Sequence, residues 1–265
     1  DFLAVGGSHQ ADAPGQPAVT IFKRQEGGWS EQASLPLPPP PPGEMQEVLL
    51  DLRGDTLAVS VYTFKPLTED TLEPHLRKGM VILYERRGSS WDETFRTSTL
   101  EAYTPGVRLR NASGFPVALG GDNEDPNLLA VGATGPPESS RAQGSVYIYA
   151  RGPQGWVQQT EIKLSRGKPA PGYMPFFVED PASSFFGTML ALEGDRLAVT
   201  SLFSNALQIF ERRGEAWVYR YEITPGIGAP DDWERRSLAL GASRLVLGAP
   251  GEFGGGAVFL FNLTH

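Results

Sequence analysis

The 265 residues carry 23 Lys and Arg against 31 Asp and Glu, a net charge of −8, with no cysteine and a pI near 5. That balance argues against a phosphate-neutralising nucleic-acid surface, and the missing thiols exclude disulfides, thiolate metal sites and cysteine nucleophiles together. Gly 31 and Pro 23 make up about a fifth of the chain, well above ordinary usage, while 40% hydrophobic residues suffice for a core. No apolar run approaches the roughly 18 residues that a membrane-spanning helix needs. The sequence begins at Asp1 and shows no signal peptide, so it reads as a processed or excised chain.

Taken in chain order, short β-branched and aromatic runs of strand length recur. Residues 1–46 hold Leu3-Ala4-Val5, then Ala18-Val19-Thr20-Ile21-Phe22, then a strand around Trp29. Residues 47–114 hold Val48-Leu49-Leu50-Asp51-Leu52, Leu57-Ala58-Val59, Met80-Val81-Ile82-Leu83-Tyr84 and a strand around Trp91. Residues 115–184 repeat the order with Val117-Ala118-Leu119, Leu129-Ala130-Val131, Ser145-Val146-Tyr147-Ile148-Tyr149 and Trp156. Residues 185–235 do so with Met189-Leu190-Ala191-Leu192, Leu197-Ala198-Val199, Ala206-Leu207-Gln208-Ile209-Phe210 and Trp217. Residues 236–265 supply Ser237-Leu238-Ala239-Leu240, Leu245-Val246-Leu247 and Ala257-Val258-Phe259-Leu260-Phe261.

Each of the four tryptophans lies seven residues after the aromatic that ends the preceding run. Gly-containing connectors such as Gln25-Glu26-Gly27-Gly28 and Arg87-Gly88-Ser89-Ser90 have hairpin chemistry. Five units of short antiparallel strands, with no helical period between them, predict an all-β propeller of four-stranded blades. The four in-register tryptophans are expected to pack between neighbouring sheets.

On these residues the chain resembles the FG-GAP repeat proteins, whose best-known members form the integrin alpha-subunit head. Phe186-Gly187 precedes one first strand and Gly248-Ala249-Pro250 follows one second strand; elsewhere the pattern decays to Phe115-Pro116 and Gly132-Ala133-Thr134. The resemblance implies an extracellular or cell-surface adhesion module that binds a protein or glycan partner. The alternating acidic calcium loop of that family is absent, and Asp122-Asn123-Glu124-Asp125-Pro126-Asn127 stands where it would lie. Neither a metal nor another cofactor is therefore expected.

The strand counts of the five units are three, four, four, four and three, the first unit starting at its second strand and the last stopping after its third. Either five blades stand alone or they are part of a seven-bladed ring. In both cases strand addition from flanking sequence or from another chain is expected at the edges.

Extra length falls in the second-to-third loops and in the connections between units, which emerge on one face of a propeller and mark it for recognition. Tyr173, Phe176 and Phe177 in one loop, and Asp231, Asp232 and Trp233 in another, are the candidate ligand contacts. Pro38 to Pro42 form a polyproline segment that reads as a spacer. Arg53-Gly54-Asp55 matches an integrin-binding tripeptide, but Glu193-Gly194-Asp195 occupies the same turn of another unit, so repeat geometry accounts for it. Asn111 and Asn262 head glycosylation tripeptides. His9, His75 and His265 lack metal-ligand spacing. The expected first strands contain a single acid, Asp51, where a propeller glycosidase needs two. The sequence thus points to a binder rather than an enzyme, a lectin being the alternative and a glycosidase the weaker one.

Overall fold

The computed structural model describes residues 1–7, 9–10, 16–65, 75–104, 114–121, 125–134, 144–163, 186–201, 206–224, 237–249 and 255–263, among which there is no helix. Five sheets follow one another along the chain in a propeller arrangement. Blade 1 is β1 (Phe2–Val5), β3 (Ala18–Gln25) and β4 (Gly28–Pro36). Blade 2 is β5 (Met45–Arg53), β6 (Thr56–Phe64), β7 (His75–Arg87) and β8 (Ser90–Arg96). Blade 3 is β10 (Val117–Gly121), β11 (Pro126–Ala133), β12 (Ser145–Gly152) and β13 (Gly155–Lys163). Blade 4 is β14 (Phe186–Glu193), β15 (Arg196–Ser201), β16 (Ala206–Arg213) and β17 (Ala216–Ile223). Blade 5 is β18 (Ser237–Leu240), β19 (Arg244–Ala249) and β20 (Ala257–Asn262).

Two strands were expected as loop. β2 (His9–Gln10) pairs with β5 through His9↔Gln46, and β9 (Leu100–Thr104) pairs with the early part of β7 from His75↔Thr104 to Gly79↔Leu100. Blade 2 therefore stands taller than its neighbours on the long-loop face. The reason is backbone satisfaction: a 13-residue β7 extends beyond β8, and its free N–H and C=O groups take up the next available segment.

The repeat register is set by pleat and bulge. In blades 1 to 4 the third-to-fourth pairing slips just before the aromatic, between Ile21/Phe22, Leu83/Tyr84, Ile148/Tyr149 and Ile209/Phe210. Beyond the bulge each tryptophan pairs with an arginine two residues past the aromatic: Arg24↔Trp29, Arg86↔Trp91, Arg151↔Trp156 and Arg212↔Trp217. Period-2 pleating puts aromatic and tryptophan on one face, which explains the seven-residue spacing.

Each pair of adjacent blades shares one apolar cluster. The faces are consistent: Leu57, Val59, Ile82, Tyr84 and Trp91 of blade 2 meet Val19 and Ile21 of blade 1. On its other face Val81 and Leu83 meet Leu129, Val131, Tyr149 and Trp156 of blade 3. Leu197, Val199, Phe210 and Trp217 of blade 4 meet Val146 and Ile148 of blade 3 in the same way, and Leu245, Leu247, Phe259 and Phe261 of blade 5 meet Ala198, Leu207 and Ile209 of blade 4. Fully burying one such Val, Leu or Ile contributes about 1.5–3 kcal/mol, so the four clusters dominate the stability.

Trp91 and Trp156 are buried and Trp217 packs at the edge of its cluster, as expected. Trp29 departs from expectation at 50% exposure, because its face of blade 1 has no blade against it among the described residues. Phe186-Gly187 has a direct packing role. Phe186 is fully buried, and Gly187, at φ +90, brings its backbone against β11 and β12 of the preceding blade, where a Cβ would lie 2.9 Å from the Ser145 carbonyl. A side chain there would be strained by the backbone conformation and would force the Ser145 carbonyl to shift.

Candidate interaction site

At the tall end of blade 2, Glu47 opens the first strand, Tyr62 and Phe64 close the second, and Arg77 lies in the extended start of the third. Cross-strand register aligns them, with Glu47↔Tyr62 directly opposite. The Tyr62 hydroxyl donates to Glu47 Oε2 at 2.6 Å, and Arg77 Nη1 lies 4.0 Å from the same oxygen. The Arg77 guanidinium sits 5.2 Å from the Tyr62 ring centroid and 4.8 Å from that of Phe64. Its side chain is 3% exposed, a cation held between two aromatic faces and a carboxylate. Burial, then the Glu47 charge, pushes the Tyr62 phenol above its ordinary value, so it remains a protonated donor. The Tyr62 ring is in edge contact with Phe115 at 6.4 Å and lies close over Gly114, tying the cluster to blade 3. Beside it, the Gln46 amide donates to the Pro38 carbonyl at 2.6 Å, which fastens the start of the proline run to the blade.

The first strands are longer than the sequence pattern predicts, and this corrects the count of acids within them. β5 contains Glu47 as well as Asp51, and β14 ends on Glu193. Each has an internal partner. Glu47 is engaged by Tyr62, Glu193 accepts from Arg53 at 2.7 Å, and Asp51 accepts the Leu119 N–H at 2.6 Å, joining blades 2 and 3. Burial raises the Asp51 carboxyl above the usual carboxylate range, against the opposing pull of the Leu119 N–H and Arg53.

On the opposite face, a groove of about 250 Å³ is lined by residues including Glu193, Asp195, Arg196, Glu211 and Arg212. Its charges satisfy one another: Arg196 pairs with Glu211 at 3.4 Å and Arg212 with Asp195 at 3.6 Å. The latter belongs to a repeated clasp that the sequence reading missed. The arginine two residues past each aromatic meets the acid that stands directly before the neighbouring strand, as Arg24–Asp1, Arg86–Asp55, Arg151–Asp125 and Arg212–Asp195. Four arginines at one spacing were the available signal. In Arg53-Gly54-Asp55, Asp55 takes a bidentate pair from Arg86 and Arg53 reaches Glu193, so both charged ends of the tripeptide serve the fold.

Tyr173, Phe176, Phe177, Asp231, Asp232, Trp233 and Asn111 lie outside the described residues, as do 122–124 of the acidic turn. Asn262 is described, and its side chain is exposed at the end of β20. Among the described residues no group of three His, Asp or Glu side chains is placed to hold a metal ion, and no helix is long and apolar enough to cross a membrane.

No family model matches the chain, and no curated protein matches it. Among solved structures it is similar to one from Bacteroides fragilis described as a "putative 6-phosphogluconolactonase", at 15% identity and a TM-score of 0.34, covering 78% of this chain and 64% of that one. It is also similar to a functionally unknown protein from Desulfotomaculum acetoxidans, at 9% identity and a TM-score of 0.38, covering 93% and 83% of the two chains.

Proposed function

We propose that this propeller is a non-enzymatic interaction module of the FG-GAP kind, working at the cell surface or outside the cell and engaging a protein or glycan partner through its long-loop face. The observation that carries the reading is the tall end of blade 2. Two added strands, β2 and β9, and the Glu47–Tyr62–Arg77 cluster build a rigid base on the face from which the long connections emerge. A rigid scaffold under variable loops is the usual construction of a recognition surface. The close packing of Phe186 and Gly187 between blades 3 and 4 supports the family resemblance, and the exposed Asn262 side chain is compatible with a secreted protein.

The test is a glycan array and a panel of immobilised matrix proteins, run beside a panel of chromogenic glycosides. The reading expects binding to at least one array member that Trp233→Ala or Tyr173→Ala abolishes without lowering the melting temperature. Turnover of a glycoside, or binding indifferent to both loop substitutions, contradicts it.

A further inference from the structure

The connection from β4 to β5 carries the proline run between blades 1 and 2, at the tall end of blade 2. Each residue of the stretch 37–41 precedes a proline, which disfavours helical backbone, and the rings of residues 38–42 fix φ at about −65°. With no cis peptide bond among the described residues, the run is a polyproline II helix of about three residues per turn.

Burial follows that period. At the end of β4 it alternates, Leu35 and Leu37 being buried and Pro36 exposed; beyond Leu37 the interval lengthens to three, and Pro40 is the next buried residue. Leu37 belongs to the apolar cluster shared by blades 1 and 2. Of the two other ridges of the helix, Pro39 and Pro42 form one and are both exposed. Pro38 and Pro41 form the other, the first half-buried and the second exposed.

Both ends are fastened. The Leu37 N–H donates to the Pro17 carbonyl at 2.9 Å, and the buried Gln46 amide holds the Pro38 carbonyl. The Glu44 N–H donates to the Pro41 carbonyl at 3.0 Å across a turn centred on Pro42 and Gly43, with Gly43 at φ +76 as a type II turn requires. The run therefore stands on the propeller as a rod, one ridge down and two up. A spacer needs the stiffness and the buried ridge. It does not need proline at Pro39 and Pro41, exposed positions where a polar residue would join the blades equally well.

A groove that meets a three-ridged helix touches two ridges at once, so it takes residues in adjacent pairs and skips every third. Pro38-Pro39 and Pro41-Pro42 are two such pairs, and the skipped residue, Pro40, is the one buried against the propeller. Prolines offer carbonyl acceptors and no N–H, so the groove must bring donors, which tyrosine hydroxyls and tryptophan indoles supply beside their flat apolar rings. Glu31 and Glu44 flank the run, and residues 32–46 contain no Lys or Arg, so a basic rim complements it.

We propose that residues 38–42 are a docking ligand for a protein domain with an aromatic-lined groove and a basic rim, which takes Pro38-Pro39 and Pro41-Pro42 while Pro40 stays on the propeller. The rod is ordered before it docks, so little conformational entropy is lost. This goes beyond the interaction-module reading, because it defines a separate protein-binding surface that depends on neither Tyr173 nor Trp233.

The experiment is a panel of isolated SH3, WW and EVH1 domains, immobilised and exposed to the full 265-residue chain. At least one domain is expected to bind, and a decaproline peptide is expected to displace the wild-type chain from it. Pro39→Ala and Pro41→Ala should each weaken binding about tenfold at an unchanged melting temperature, whereas Pro36→Ala, exposed but within β4, should leave affinity as it is. Tyr173→Ala and Trp233→Ala should bind the same domain as the wild type does, so this proposal and the loop reading fail separately. Binding to no member of the panel, or binding that decaproline does not displace, overturns the proposal; neither result depends on how a variant folds. Affinity that survives the Pro39→Ala and Pro41→Ala changes together, or that falls as much with Pro36→Ala, Tyr173→Ala or Trp233→Ala, overturns it equally.

Discussion

Leu57 and Leu3 sit at the same repeat position, as do Trp156 and Trp29, yet the first of each pair is buried and the second is about half exposed. The same holds at the other end of the chain for Leu83 and Leu260. The local sequence is equivalent in each case; what differs is whether a neighbouring sheet covers the face. In a repeat protein the strand pattern fixes which way a side chain points, and stacking determines what burial it obtains.

The largest expected effect breaks the comparison if it is missing. Trp156→Ala should cost about 3–5 kcal/mol in urea unfolding, because it empties a packed site, whereas Trp29→Ala should cost less than about 1 kcal/mol. Equal losses would show that burial does not follow the blade order. Leu83→Ala against Leu260→Ala gives the same contrast at about 2–5 kcal/mol for the buried member and within about 0.5 kcal/mol for the exposed one.

Polar contacts sharpen it further. Tyr62→Phe removes the donor to Glu47 within the tall end of blade 2 and should cost about 1–3 kcal/mol, since the carboxylate beside Arg77 loses a partner; a neutral result would mean that Glu47 is solvated in solution. Asp51 tests the interface of blades 2 and 3 by its sign. Its folded carboxyl titrates above the unfolded one, so its charge opposes folding at neutral pH. That penalty disappears as pH falls through the raised value, and the relative gain is complete below the ordinary carboxylate range. Asp51→Asn keeps an acceptor for the Leu119 N–H and should be more stable than the wild type at pH 7, the gap closing toward acid pH. A gap that widens on acidification contradicts the assignment. The smallest effect is at the exposed clasp, where Asp55→Ala should cost no more than about 1 kcal/mol, with the loss shrinking in high salt.

The sequence made the blade order, the tryptophan register and the packing of three of the four in-register indoles legible, because apolar alternation and a fixed spacing survive translation into pleated strands. It did not reveal β2 and β9. His9-Gln10 has no apolar alternation, and the Leu100–Thr104 segment is short and lies beyond the expected last strand of its unit; both form strands because neighbouring edges need partners. The first strands were read too short because Glu47 and Glu193 interrupt or end an apolar run, although Tyr62 and Arg53 supply the partners that make those places tenable. The arginine of the clasp was visible as a spacing and its acid stands directly before each second strand, but only the folded hairpin brings the two together. The buried cation at Arg77 lay in a segment that reads as loop, with no pattern to mark it.

The most direct test of the blade account is fluorine NMR on protein labelled with 5-fluorotryptophan, each resonance assigned by a Trp→Phe substitution, with a soluble paramagnetic reagent added. The account predicts strong broadening of Trp29 and narrow, unaffected lines for Trp91 and Trp156. Broadening of Trp156 to the same degree as Trp29 would contradict it.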